Sequence, residues 1–92
     1  MITVKLTQRE CSALTFDDLK SRGQPRPTTI KASALWCHYA ATAAEWATLA
    51  DYADGQAEHW ESGGTDNPDS LEDGRRCRRA AARMRAAVEA TR

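Results

Sequence analysis

Thr29–Ser62, TIKASALWCHYAATAAEWATLADYADGQAEHWES, runs without proline, holds a single glycine at Gly55 and is dominated by alanine. That composition predicts one long helix. On a helical wheel Leu35, Tyr39, Thr42, Trp46, Leu49, Ala53 and Trp60 fall within about 80° of one another. The positions 35-39-42-46-49-53-56-60 make a heptad seam with Gln56 as its polar member. At its usual rise such a helix extends roughly 50 Å, so other elements must lie along most of it.

The charges indicate which element does so. Glu45 to Asp73 carries nine carboxylates and no Lys or Arg, whereas Gly74 to Arg92 carries seven Arg and one Glu. A formal net charge of zero thus conceals strongly opposed blocks. Ser70 is placed to cap a third helix over 70–91, with Glu72 and Asp73 in its first turn where the helix dipole favours anions. Its apolar face holds Cys77, Ala80, Ala81, Met84, Ala87, Val88 and Thr91. Gly63-Gly64 and Asn67-Pro68 provide the turn between the two helices. Folded back on itself, the pair brings Asp51, Asp54, Glu58 and Glu61 within reach of Arg75, Arg78 and Arg79. Exposed pairs contribute about 0–1 kcal/mol each and set register more than stability. Trp46, over the small residues near Met84 and Val88, and Trp60, near Leu71, supply the buried bulk.

Upstream, Ile2, Val4 and Leu6 alternate with Thr3 and Lys5, the pattern of a short strand over 1–6. Thr7-Gln8-Arg9-Glu10 is a capping box and opens a helix expected over 8–21, ended by Gly23, Pro25 and Pro27. A lone strand must find a partner in a second chain or remain an extended arm. The fold class expected is therefore mainly α: a small single helical domain, 1–92, with a long α-helical hairpin, a shorter N-terminal helix and a short N-terminal strand. A thin core at this length makes a two-fold dimer plausible.

The sequence gives little sign of catalysis. His38 and His59 are separated by roughly 30 Å if helical, too far to share an ion, and no Cys-x-x-Cys spacing exists. Cys11, Cys37 and Cys77 are odd in number and widely spaced, the usage of buried thiols in a reducing compartment. No Gly-rich phosphate loop follows a strand, and no base stands near Ser62. No apolar run approaches the ~20 residues of a membrane span, and the first ten residues lack the pattern of a signal peptide. These features predict a cytoplasmic, non-enzymatic protein without cofactor or metal and without membrane contact. Ten Arg against three Lys, with 17 Ala, is the composition of a GC-rich genome such as an actinobacterium or its phage.

Trp60-Glu61-Ser62-Gly63 between two helices is similar to the turn of the WXG helical-hairpin proteins of type VII secretion. Here the glycine follows the tryptophan by three residues instead of two, and the C-terminal Tyr-x-x-x-acidic signal of that family is missing. The resemblance covers four residues.

Trp, Tyr and Arg dominate the energetics of protein interfaces, and this chain is rich in all three. The function expected is non-catalytic protein binding by a regulatory accessory protein, such as a phage-encoded modulator or inhibitor of a host protein or defence complex. Trp36 and His38 at the open end of the helix pair, with Arg83, Arg85 and Arg92 on a residual basic patch, are the candidate contacts. Asp54, Glu58 and Glu61 form an alternative acidic surface that mimics phosphate. The competing class is a nucleic-acid-binding protein that uses the arginine helix.

Overall fold

The computed structural model describes residues 1–62 and 68–91. Its order is β1 (Ile2–Thr7), α1 (Gln8–Ala13), two 3-10 turns (Phe16–Asp18 and Lys20–Arg22), β2 (Thr28–Ala32), β3 (Trp36–Ala41), α2 (Ala43–Ser62) and α3 (Pro68–Ala90). Helix predominates, as expected, but a small three-stranded antiparallel sheet accompanies it.

The 34-residue helix expected over 29–62 is not formed. Its first third is the β2–β3 hairpin, and helix begins only at Ala43. The stop is local: the Thr42 hydroxyl accepts from the Glu45 N–H at 3.1 Å, and the Glu45 carboxylate accepts from the Thr42 N–H at 2.9 Å. This is a reciprocal capping box, and it fixes Thr42 outside the helix. Upstream, Thr28, Thr29, Ile30, Trp36 and Tyr39 favour strand, and cross-strand pairing outweighs the helix preference of the neighbouring alanines. On one face Cys37 and Ala41 are buried with Tyr39 partly covered between them, whereas Trp36, His38 and Ala40 on the other face are partly open.

β3 is the central strand, with the order β1-β3-β2. Ile2 pairs with Ala41, Lys5 with His38 and Thr7 with Trp36; on the other side Thr29 pairs with Tyr39 and Lys31 with His38, across a bulge at Ile30. The N-terminal strand therefore has its partner within the chain and needs no second copy to complete it.

The helix expected over 8–21 is also shortened. Its capping box forms as expected, with Glu10 N–H to Thr7 Oγ1 at 3.0 Å and Thr7 N–H to the Glu10 carboxylate at 2.9 Å. At Thr15, however, the backbone turns left-handed (φ 54°). That conformation is costly for a β-branched residue. Tyr52 holds it, its hydroxyl 3.0 Å from Thr15 Oγ1 and donating to the Leu14 carbonyl at 2.9 Å. Two 3-10 turns follow, ended by Gly23 at φ 71°. The turn expected over residues 63–67 lies outside the described residues.

α2 and α3 pack side by side in opposite directions, since Arg78 meets Glu61 and Arg85 meets Asp51. Between them lie Trp46, Leu49, Ala53 and Ala57 of α2 and Gly74, Cys77, Ala81 and Met84 of α3, all buried. Gly74 permits a close approach: a Cβ there would stand 3.1 Å from Glu61 Cγ and 3.4 Å from the Ala57 carbonyl. The core continues onto the inner face of the sheet through Val4, Leu6 and Cys37. Two indole N–H groups fasten the N-terminal third to α2, Trp46 to the Ile2 carbonyl at 2.8 Å and Trp60 to the Ala13 carbonyl at 3.1 Å. No helix among the described residues is long and apolar enough to cross a membrane.

Candidate functional site around Trp36

One face of the sheet packs on the core and the other is open. Because β pairing places directly opposed residues on the same face, Lys5, His38 and Lys31 form a row across all three strands of the open face. The two lysines flank His38 from the outer strands, two strand spacings or about 10 Å apart across the sheet. Partial desolvation, followed by the fields of Lys31 and Lys5, holds the His38 imidazole below its usual range. Trp36 stands beside this row. Lys5 Nζ lies 4.2 Å from its ring centroid and the Arg83 guanidinium carbon 5.0 Å.

Arg83 joins three elements. It meets the Glu10 carboxylate of α1 at 3.2 Å, donates to the Lys5 carbonyl of β1 at 3.4 Å, and lies over the β3 indole. Glu10 is 1% exposed and is also approached by Arg79 at 3.7 Å. A buried carboxylate is tolerated only when paired and hydrogen-bonded, and here the capping box and two guanidinium groups meet that condition. The β2–β3 turn is tied to the same point, with Gln8 N–H to the Leu35 carbonyl at 3.0 Å and Gln8 Nε2 to the Ser33 carbonyl at 3.0 Å.

Two hollows result. The larger, about 650 Å³, lies between the start of α1, the β2–β3 turn and α3, and its walls include Arg9, Arg76, Arg79, Leu35 and Trp36. The smaller, about 240 Å³, is on the open sheet face and is lined by Lys5, Lys31, His38, Trp36, Ala32 and Ser33. Trp36 is the wall they share. Beside it the hairpin is bare: all five residues of β2 are exposed, and Ile30 (54%) and Leu35 (71%) carry their apolar side chains into solvent.

The residues singled out from sequence separate in space. Trp36, His38 and Arg83 belong to this region. Arg85 does not: it pairs with Asp54 at 2.7 Å and Asp51 at 3.0 Å on the flank of α2. The basic patch expected from Arg83 and Arg85 together is thereby divided, because two residues of helix turn them to different sides, Arg83 to Glu10 of α1 and Arg85 to Asp51 and Asp54 of α2. Arg92 lies outside the described residues. On the acidic flank, Asp54 is held by Arg85 and Arg78, and Glu61 takes two bonds from Arg78 at 2.9 and 3.1 Å, which depress its pKa. Glu58 is exposed and adds to the field on Arg78.

Lys5, Lys31 and Arg9 are absent from the sequence-based candidates, and Arg76 and Arg79 enter there only as part of the arginine helix. A strand assignment for 28–41 places Lys31 and His38 on one outward face, so the alternation around them was the available signal. Comparisons with protein families, with curated proteins and with solved structures return no match for this chain.

Proposed function

We propose that the chain is a non-catalytic protein-binding module, an accessory or regulatory protein that docks a partner on the β2–β3 hairpin and the surface around Trp36. The observation that carries this reading is the bare hairpin. β2 is solvated on both faces, and the large apolar side chains exposed after Met1 among the described residues, Ile30 on β2 and Leu35 in the β2–β3 turn, both belong to the hairpin. Ordering a strand against water on both sides gains little burial, and exposed aliphatic groups beside an aromatic and several arginines are the composition of interface centres. The bias to Arg and Ala adds the narrower reading of a phage-encoded modulator of a host protein.

Nucleic-acid binding along α3 is the competing reading. Arg75, Arg76, Arg78, Arg79, Arg83 and Arg85 each already meet a carboxylate, so phosphates would have to displace those partners. Tagged wild-type protein and an Ile30→Asp/Leu35→Asp variant, both checked for folding by circular dichroism, are used to capture partners from the source cell. A protein retained by the wild type at moderate salt and lost with the variant is the expected result. Failure to retain any protein, together with a shift of labelled DNA that weakens by orders of magnitude between about 50 and 200 mM salt, overturns the reading.

A further inference from the structure

Resting on that protein-binding reading, we infer that the occupant of this surface is an acidic segment of the partner, laid over Trp36 with carboxylates in the hollows on either side. The argument starts from the sheet. Lys5, His38 and Lys31 face one another across three strands, and the hollow they line contains no carboxylate. Among the described residues neither lysine forms an ion pair, in contrast to the six arginines of α3 between Arg75 and Arg85. Two lysines without a carboxylate beside them leave a positive field that an entering anion would meet.

The second hollow repeats the chemistry at lower excess. On its wall Arg76 is held by Asp73, Arg79 by Glu72 and Arg83 by Glu10, which leaves Arg9 as the lining arginine without an ion pair among the described residues. Between the hollows stand the Trp36 ring and the exposed Leu35. The surface is therefore cationic, then apolar, then cationic, and its complement is a segment with acidic groups flanking an apolar side chain.

Two features favour a peptide over a nucleic acid strand. Trp36 already has Lys5 and Arg83 against its ring, which leaves it poorly placed to stack a base. The sheet edges are also guarded: Arg83 occupies the Lys5 carbonyl of β1, and β2 is bulged at Ile30. The open face, not an added strand, is what remains for docking.

His38 makes the binding depend on pH. Partial desolvation first, and then the charged groups that face it, Lys31 from β2 and Lys5 from β1, disfavour its proton in the free protein. A bound carboxylate favours that proton, so by linkage affinity rises as pH falls through the imidazole range, while peptide carboxylates stay ionised down to about pH 5.

The test is selection of random twelve-residue peptides on the immobilised full chain at about 150 mM salt. The expected consensus has acidic residues on both sides of an apolar one. Each of Lys31→Gln and Arg9→Gln should weaken a selected peptide by about two- to five-fold. Affinity should rise by a similar factor from pH 7.5 to 5.5 and lose that rise in His38→Gln. No enrichment, a consensus without carboxylates, or tighter binding of single-stranded DNA at this face overturns the inference. The cellular partner separates the two claims. If it is retained by a Lys31→Gln/Arg9→Gln variant but lost by Ile30→Asp/Leu35→Asp, only the acidic-segment inference falls. If no partner is retained by the wild type, protein binding falls with it.

Discussion

Glu10 is the only polar or charged residue buried among the described residues. Its carboxylate closes the first capping box and receives Arg83 and Arg79 from α3, so it ties the N-terminal third to the C-terminal helix. Glu10→Ala should lower stability by about 2–4 kcal/mol, because a cap is lost together with a buried charge pair. In a chain of this size that is a fall of roughly 10–20 °C in Tm. Glu10→Gln, which keeps an acceptor for the Thr7 N–H, should cost less. The thiols make a second residue-scale prediction. Burial raises the Cys11 pKa to about 11, against a lowering hydrogen bond from Tyr39, and the Cys77 pKa to about 12. Both stay protonated at pH 8, so alkylation of the native protein should be far slower than in denaturant, with mass spectrometry of labelled peptides as the measurement.

At the scale of elements, the two helical glycines predict opposite outcomes. Gly55 is exposed and a Cβ there meets nothing within 4 Å, so Gly55→Ala should stabilise the protein by about 0.5–1 kcal/mol through helix propensity alone. Gly74 lies where α3 is crowded by Ala57 and Glu61 of α2, and Gly74→Val should force the helices apart at a cost of about 1–3 kcal/mol. Paired thermal melts check both. The third helix was legible because its buried positions, Gly74, Cys77, Ala80, Ala81, Met84 and Val88, recur at helical spacing. β1 was legible because one of its faces is buried and the other solvated. The stretch 28–41 was misread because Ala-rich composition outweighed the β-branched run Thr28-Thr29-Ile30 and concealed the Thr42–Glu45 box. Half of the site was hidden with it: Trp36 and His38 were visible as residue types, but the row they share with Lys5 and Lys31 exists only once the strands pair.

For the molecule as a whole, ion pairs across α2 and α3 predict how acid affects it. Hydrogen bonds from Arg78 hold Glu61 below its usual pKa, those from Arg75 and Arg79 do the same for Glu72, and the Thr42 cap does so for Glu45. Groups whose folded pKa is depressed contribute stability above the unfolded value, and that contribution is lost as pH falls through the folded one. Tm should therefore be flat with respect to these three groups from pH 7 to about 5 and then decline towards pH 3. Glu61→Gln should lie below wild type at neutral pH and converge with it in acid. A difference that persists at pH 3 would show that Glu61 contributes through packing and not through charge.

The partnership of Glu10 with α3 also bears on synthesis. A ribosome releases β1, α1 and the sheet well before it releases Arg79 and Arg83, and until then the carboxylate at position 10 has no cation to accompany it out of water. The nascent N-terminal third thus waits, hydrated and undocked, for a helix translated well after it, and a chaperone that shields it during that interval should raise the yield of folded protein.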